Sequence, residues 1–284
     1  MVLRVTFDTN VLDLACRPDR FPKDVRQPHL RKVYDALLAR KIEGYYSITM
    51  LTIEGIERKD RANIMANTLV SGPPETCSTA KNDELPEAIR AKIGDAVIEK
   101  VQKKFVVEQP NRRSLHSEVV ARVDAAHKLG VRALKDIPRI GAFNITDSAG
   151  ENYLSNGEGD GLHAWQQKAH EVARAIEDRG LGMAQVKALG TAMNAASTED
   201  LWFSSLANAK DIHEQKAVER AFAEWADGDA IASHVAYGID VFCSADVGNS
   251  NATSSELDPG NRAWLTESYG VKFMTFDNLL EVLP

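Results

Sequence analysis

Long hydrophobic runs are missing from this sequence of 284 residues. No apolar stretch approaches the roughly 20 residues that a membrane-spanning helix needs, so we expect no association with a membrane. The apolar part of the N-terminal stretch is too short for a signal peptide and favours a strand instead. Cysteines are few, widely spaced and odd in number (Cys16, Cys77 and Cys243). That argues against a disulfide framework and predicts a reducing, cytoplasmic location.

Motifs for several common chemistries are missing as well. The sequence contains no Gly-x-x-x-x-Gly-Lys-Ser/Thr, which argues against a P-loop nucleotidase, and no Gly-x-Ser-x-Gly nucleophile elbow. Its seven histidines form no zinc pattern, because nothing completes a ligand set around His163 and His170. Neither internal repeats nor low-complexity tracts occur.

An overall excess of positive charge is also missing. The formal net charge is −7, which argues weakly against nucleic-acid binding. Residues 100–139, however, contain ten Lys/Arg and four Asp/Glu, a local charge of +6 that leaves −13 for the rest of the chain. A basic segment beside an acidic metal site suits a phosphate-backbone ligand, and a solvated helical face explains the segment equally well.

Two short β-type runs, one near each end of the chain, stop at an aspartate. Residues 3–7 run into Asp8, and residues 240–244 run into Asp246. In an open parallel α/β sheet, ligands bind at the carboxyl ends of the strands, so two such runs can place two carboxylates in one crevice. Clustered carboxylates repel one another and need a cation, and oxygen ligands suit Mg²⁺ or Mn²⁺. The pattern therefore indicates metal-assisted phosphate chemistry.

Strands and helices alternate in both terminal parts of the chain. This alternation predicts an α/β fold of three layers, with a central parallel sheet of about five strands between helices. In the first part we expect a strand at 45–48 and helices at 10–16, 28–39 (ended by Gly44) and 52–57. In the last part we expect strands at 240–244 and 271–274 and helices at 213–226 and 230–237. Asp258-Pro259 should start another helix closed by Gly270, and Thr275 should cap a final one.

The middle of the chain differs from both ends. Residues 65–212 are expected to form a mostly helical insertion or elaboration on a core made of 1–64 and 213–284, and part of this middle is left to complete the core. Helices are predicted within it at 85–104, 113–128 and 162–177, and a loop-rich stretch at 144–160.

The motifs of the two terminal parts occur in a definite order. Asp8-Thr9-Asn10-Val11-Leu12 follows the first strand, and Thr52-Ile53-Glu54-Gly55-Ile56-Glu57 follows the second. Asp227 then precedes Gly238 by eleven residues, Ser244-Ala245-Asp246 ends a strand, and Tyr269-Gly270 precedes the last strand and helix. This ordered set resembles that of the PIN-domain nucleases. The resemblance covers roughly 1–60 and 213–284 and leaves the middle of the chain unexplained.

The resemblance implies an acidic active site that holds Mg²⁺ or Mn²⁺. It assigns the catalytic role to Asp8, Glu54, Asp227 and Asp246, and the metal-binding role to Asp8, Asp227, Asp229 and Asp246. Asn10, Ser244, Arg17 and Arg58 are the expected substrate-binding residues.

Two of these assignments compete with a neighbouring acid. Glu54 and Glu57 lie three residues apart on one predicted helix face, and Glu54 is preferred because it is nearer the helix start, with Glu57 as the second choice. Asp227 and Asp229 are both expected at a helix N-terminus, where carboxylates are favoured in any protein. The spacing to Gly238 selects Asp227 as the third acid, and Asp229 is an additional ligand or a first-turn charge.

The sequence thus predicts a Mg²⁺- or Mn²⁺-dependent endoribonuclease that hydrolyses phosphodiester bonds of single-stranded RNA with a metal-activated water. One alternative is a non-catalytic PIN-like module that binds RNA or protein. Another is a phosphohydrolase of the haloacid-dehalogenase type, which Asn10 disfavours because that family has an acid at this position. A homo-oligomer and an inhibitory protein partner are both left open.

Overall fold

The computed structural model describes residues 2–66, 69–71, 76–80, 98–102, 106–108, 116–134, 153–154, 160–194, 202–246 and 255–283. The chain forms two compact units: one combines Met1–Ala66 with Arg113–Pro284, and the other is Asn67–Arg112. Residues 113–212, which are the larger part of the middle of the chain, belong to the same unit as the two terminal parts.

The first unit contains a parallel β-sheet. Its strands are β1 (Leu3–Phe7), β2 (Ile42–Ser47), β3 (Arg132–Leu134), β4 (Tyr153–Leu154), β5 (Val241–Cys243) and β6 (Phe273–Met274). They lie in the order β6-β5-β1-β2-β3-β4, and every neighbouring pair is parallel. The predicted α/β class and parallel sheet are confirmed, and β4 adds a two-residue strand at one edge.

Helices connect these strands. In the described part of the unit they are α1 (Thr9–Cys16), α2 (Gln27–Leu38), α3 (Arg58–Ala66), α4 (Ser117–Lys128), α5 (Asp160–Asp178), α6 (Met183–Met193), α7 (Ile212–Ala236), α8 (Pro259–Tyr269) and α9 (Phe276–Glu281). None of the helices among the described residues is both long enough and apolar enough to cross a membrane.

Both faces of the sheet are covered, because successive side chains of a strand point to opposite sides. On one face Val5 and Phe7 of β1 pack in a core with side chains of α1, α2, α4 and α9. On the other face Phe242 of β5 packs with side chains of α5, α7 and α8. Burying a side chain such as Phe7 contributes about 1.5–3 kcal/mol. Helices on both faces of one sheet make a three-layer arrangement.

Gly44 has a different role from the predicted one. It was expected to end α2, but α2 ends at Leu38 and Gly44 lies inside β2. A Cβ at this position would stand 2.8 Å from Val131 Cγ2 and 2.9 Å from Leu37 Cδ2. The glycine therefore allows α2 to approach the sheet closely.

Helix α7 corrects a predicted break. Two helices, 213–226 and 230–237, were expected because Asp227-Gly228-Asp229 is a turn-like sequence, but Ile212–Ala236 is one helix of 25 residues. Gly228 is buried, and a Cβ there would meet the Cα of Gly182 at 3.5 Å. The glycine serves close packing within a continuous helix, so neither Asp227 nor Asp229 lies at a helix N-terminus.

The predicted helix over 52–57 is also wrong. Ile48–Met50 forms a 3₁₀ turn after β2, residues 51–55 form further turns, and α3 begins only at Arg58. Thr52 is buried and donates its hydroxyl to the Ile48 and Thr49 carbonyls. Glu54 and Glu57 therefore do not share a helix face.

The C-terminal predictions are confirmed. Asp258 caps α8 by accepting from the backbone N–H of Asn261 at 2.8 Å, with Pro259 in the first turn. Gly270 ends α8 in the left-handed region (φ 71°). Thr275 caps α9 through the N–H of Asn278.

The second unit contains paired strands in its described part. Leu69–Ser71 pairs with Val106–Glu108, and Thr76–Ala80 pairs with Ile98–Gln102, both antiparallel. The helix predicted over 85–104 is therefore wrong at 98–102, and its remaining residues lie outside the described ones. The loop-rich stretch predicted at 144–160 lies mostly outside them too.

Candidate active site

The first strand brings Asp8 to the carboxyl edge of the sheet. β1 pairs with β5, and the backbone N–H of Asp8 donates to the Cys243 carbonyl at 2.9 Å. The backbone at Asp8 is extended (φ −65°, ψ 157°), and its Oδ1 accepts from the N–H of Thr9 at 2.7 Å, which caps α1. The cap uses one carboxylate oxygen and leaves Oδ2 for other partners.

Oδ2 of Asp8 joins the two ends of the chain through hydrogen bonds. Ser244 Oγ donates to it at 2.6 Å and Asn10 Nδ2 at 2.9 Å. The same Asn10 amide nitrogen lies 3.3 Å from Asp246 Oδ2, and Asn10 Oδ1 accepts from the N–H of Ala245 at 3.0 Å. Asn10 and Ser244 thus connect Asp8 with Asp246, which are half-buried and exposed respectively.

Glu54 reaches the same edge from the turn after β2. Its Oε2 accepts from Thr9 Oγ1 at 2.6 Å, so residues 8, 9 and 54 form one contiguous group. The buried Arg61 holds the turn in place by donating to the Ile56 carbonyl at 3.1 Å and to the Glu54 carbonyl at 3.4 Å. Arg61 donates to these backbone carbonyls and not to the Glu54 carboxylate, so the carboxylate is not held in an ion pair with Arg61.

Helix α7 separates the two aspartates that sequence alone could not separate. Two residues along an α-helix turn the side chain by roughly 200°, so Asp227 and Asp229 point to different sides. Asp227 lines the same pocket as Asp8 and Glu54. Asp229 is buried and its Oδ2 accepts from Trp225 Nε1 at 2.9 Å. The metal-ligand role predicted for Asp229 is therefore replaced by a hydrogen bond that satisfies a buried indole.

One pocket collects these acids. Its walls include the carboxylates of Asp8, Glu54 and Asp227 together with hydroxyl and apolar side chains, namely Thr6, Phe7, Thr9, Ser47, Thr49, Ala226, Ala230 and Phe242. Asp246 is connected to the pocket through Asn10 and Ser244. Three acids from three separate segments, at positions 8, 54 and 227, thus line one pocket, and Asp246 is linked to Asp8 through Asn10 and Ser244.

Burial raises the pKa values of Asp8, Glu54 and Asp227, and the charges of neighbouring acids raise those of Asp8 and Asp227 further. The pKa of Asp8 rises to about 7, first because of burial and then because of the charge of Glu54, although the Ser244 and Thr9 hydrogen bonds oppose the rise. Burial, and then the charges of Asp8 and Glu54, raise the pKa of Asp227 well above its ordinary value. Burial raises the pKa of Glu54 too, against the opposing effect of Thr9 and three arginines. Acids that destabilise one another in this way favour a bound cation.

The donor set fits a hard divalent cation. All candidate ligands are oxygens from carboxylates and hydroxyls, which are the donors that Mg²⁺ and Mn²⁺ prefer over softer metals. Within the described ranges, however, no three His, Cys, Asp or Glu side chains are already grouped as a metal cage.

Three other predicted residues have mixed outcomes. Arg17 lies at the C-terminal end of α1, away from Asp8, and donates to Asp13 and Glu118 at 2.6 Å each. Glu57 is exposed and pairs with Lys59 at 2.9 Å, so the second choice of acid does not join the pocket. Arg58 is near the acids, since its charge lowers the pKa of Glu54.

Several site residues were missed by sequence reasoning. The Thr9 hydroxyl orients Glu54, and Ser47 and Thr49 contribute hydroxyls to the pocket wall. Thr9 stands inside the Asp8-Thr9-Asn10 motif, and Ser47 ends β2 next to β1. The strand-end rule that selects Asp8 also applies to Ser47 and was the available signal.

No protein-family model matches this chain, and no curated protein or solved structure matches it either. The function must therefore be argued from the site itself.

Proposed function

We propose that this protein is a Mg²⁺- or Mn²⁺-dependent nuclease that hydrolyses phosphodiester bonds of single-stranded RNA, as the PIN-domain nucleases that its motifs resemble do. One observation carries the proposal: Asp8, Glu54 and Asp227, distant in sequence, line one pocket, and Asp246 is hydrogen-bonded to its rim. Each of these acids is at a position that the resemblance assigns to catalysis.

Asp8, Glu54, Asp227 and Asp246 would hold the cation. A divalent cation supplies a water of lowered pKa and stabilises charge on a phosphate and on its leaving oxygen. The protein's own contribution is to position these carboxylates before substrate arrives. Asn10 and Ser244 fix Oδ2 of Asp8, and Thr9 fixes Glu54.

Asn10 also bears on the phosphohydrolase alternative. Its Nδ2 donates to Asp8 at 2.9 Å, so it orients Asp8 and has no proton-donating carboxyl to offer a leaving group. This contact supports a role of Asp8 in binding a cation over a role as a covalent nucleophile.

An RNA substrate is supported more weakly than the cation. The predicted basic segment 100–139 lies largely outside the described residues, apart from 100–102, 106–108 and 116–134. Within the latter range Arg122 affects the acids directly, because its charge lowers the pKa of Glu54. Arg58 does the same from the start of α3. These cations offset repulsion between the acids and a phosphate backbone.

The test is cleavage of end-labelled single-stranded RNA and DNA in Mg²⁺, Mn²⁺ or EDTA by the natural protein, Asp8→Asn and Asp19→Asn. Asp19 is the matched control, because it is an exposed aspartate paired with Arg31. We expect cutting that requires the metal, is unchanged in Asp19→Asn and is lost by roughly a thousandfold or more in Asp8→Asn, a cost of several kcal/mol in the transition state.

Other results would redirect the assignment. RNA binding without metal and without cleavage would indicate the non-catalytic module. A trapped acyl-phosphate on Asp8 would indicate the phosphohydrolase. Cleavage by Asp8→Asn at the natural rate would contradict the proposed active site.

A further inference from the structure

Arg262 differs from the arginines that have an acid partner. Five of those are Arg4, Arg17, Arg20, Arg26 and Arg31, each paired with an aspartate or a glutamate. Arg262 pairs with no carboxylate among the described residues; its Nη1 makes one long hydrogen bond, 3.4 Å, to the Asp246 carbonyl. Residues 247–254, which follow Asp246 in the sequence, contain no Asp or Glu.

The burial of Arg262 agrees with this geometry. Its side chain is partly buried, and no ion pair to an acid is formed by it in the described part of the chain. Arg4 and Arg26, by contrast, donate hydrogen bonds to Asp240 and Asp24. A partly buried guanidinium without a counter-charge has lost solvation and gained nothing in return, which favours binding of an anion.

The side chain is held in a defined position. Arg262 lies in the first turn of α8, and its guanidinium carbon stands 4.9 Å from the centre of the Phe273 ring on β6. Stacking on an aromatic face restrains a planar guanidinium and leaves its N–H groups at the edge. Arg262 can therefore present two parallel donors to a phosphate.

Its location relates it to the acids. β6 lies next to β5, which leads to Asp246, whereas β2 leads to Glu54 on the other side of β1. Arg262 contacts Asp246 on the first side. It therefore lies at the Asp246 end of the row of acids along the carboxyl edge of the sheet.

We propose that Arg262 binds a phosphate of the RNA backbone next to the cleaved bond, on the Asp246 side of the site. This inference rests on the proposed nuclease function and adds a subsite to it. An unpaired, stacked arginine beside the acids receives one phosphate, while the acids and their cation receive the next.

The test measures RNA binding apart from cleavage. Fluorescence anisotropy of labelled single-stranded RNA in EDTA, in an Asp8→Asn background, compares Arg262→Ala, Arg262→Lys and Arg31→Ala over a range of salt. Arg31 is the matched control, because it also stacks on an aromatic ring (Tyr34, 5.3 Å) but is paired with Asp19. Thermal melting checks that each variant is folded.

We expect Arg262→Ala to weaken RNA binding about tenfold and to reduce the slope of log K against log salt by about 0.7, the value for one lost phosphate contact on a single strand. Arg262→Lys should keep the slope but bind more weakly, since an ammonium offers no fork. Arg31→Ala should change neither quantity. In the cleavage assay Arg262→Ala should raise KM far more than it lowers kcat.

The outcomes separate the two proposals. Normal metal-dependent cleavage with unchanged RNA affinity and salt slope in Arg262→Ala overturns the subsite alone. No RNA binding and no cleavage by the natural protein overturns the nuclease and the subsite together. Should Arg262→Ala not fold, Arg262→Lys decides, and an affinity equal to that of the natural side chain overturns the proposal.

Discussion

The charged side chains at the two ends of helix α1 differ in whether they have partners of opposite charge. At the N-terminal end, Asp8 gathers with Glu54, Asp227 and Asp246, and none of these four has an ion pair with Lys or Arg in the described part of the chain. At the C-terminal end, Arg17 lies between Asp13 and Glu118, and Arg20 and Arg122 complete the cluster.

The pKa values of the side chains at the two ends of α1 reflect this difference. Burial alone would lower the pKa of Arg17, but its hydrogen bonds to Asp13 and Glu118 raise it, and Arg17 and Arg20 lower the pKa of Glu118. At the other end, burial and then the charges of neighbouring acids raise the pKa values of Asp8 and Asp227. A fold can satisfy its charges internally when stability is the only demand, so charges left unsatisfied in a pocket indicate a site for an external ligand.

The sharpest way to test this comparison is to change the two aspartates of α7. Asp227→Ala should abolish metal-dependent cleavage, by roughly a thousandfold or more, because it removes a proposed cation ligand. Asp229→Ala should keep the cleavage rate per folded molecule but lower the free energy of unfolding by about 1–3 kcal/mol, since the Trp225 N–H loses its acceptor. Denaturant melts and cleavage rates of both variants check this, and equal losses of activity would contradict the separation of the two residues.

The pH dependence of stability tests the uncompensated acids as a group. The folded-state pKa of Asp8, about 7, exceeds the ordinary value of 3.8, so the folded protein binds more protons between these pH values. Without metal, the stability from this group is complete at low pH and lost as pH rises through about 7, on the order of a few kcal/mol. Melting in EDTA between pH 4 and 8 should show that decline.

A divalent cation should reverse that decline. At pH 8, Mn²⁺ at a hundred times its dissociation constant should add about 2.7 kcal/mol, and less at pH 5 because protons compete for the carboxylates. The same stabilisation by Mn²⁺ at both pH values would count against a carboxylate site.

Glu256 is a further buried acid whose pKa is raised in part by the charge of Asp227. It is fully buried, neither of its carboxylate oxygens has a hydrogen-bond partner among the described residues, and burial and the neighbouring Glu224 raise its pKa well above the ordinary value. Glu256→Gln should raise the free energy of unfolding by about 1 kcal/mol at pH 8, because an amide can donate to Glu224 and never ionises. The gain should shrink as the pH falls, because protonation removes the buried charge of the natural carboxyl. A thermal melt at both pH values, with Glu267→Gln as an exposed control, measures it.

The smallest effect on stability is expected at the C-terminal end of α1, where the charged side chains are paired. Arg17→Ala should lower the free energy of unfolding by only about 1 kcal/mol, because much of the ion-pair energy is offset by desolvation and screened by solvent. Cleavage and RNA affinity should not change. A large loss of RNA affinity in this variant would restore the substrate-binding role that the sequence suggested for Arg17.

Local rules were sufficient for the acids that end strands. Asp8 and Asp246 each follow a short apolar run, and parallel pairing of those runs brings their ends together whatever lies between them in sequence. The caps Asp258 and Thr275 were equally accessible, because capping depends on residues only a few positions away.

Roles that depend on distant packing were not accessible from sequence. Gly228 was interpreted as a break because nothing in its own segment shows that Gly182 packs against it. That error hid the helical phase that separates Asp227 from Asp229. Nothing in the sequence around Arg17 or Arg262 distinguishes their roles. The difference appears only in the structure, where Arg17 donates to Glu118 and Arg262 donates to the Asp246 carbonyl.

The pairing of β1 with β5 has a consequence for protein synthesis. Ser244, which donates to Asp8, is 236 positions further along the chain. At roughly 5–20 residues per second, a ribosome makes Asp8 on the order of tens of seconds before Ser244. A nascent chain therefore carries the first acid without its hydrogen-bond partner Ser244, without β5 and without Asp246. The proposed cation site is thus incomplete until the ribosome has passed both of these residues.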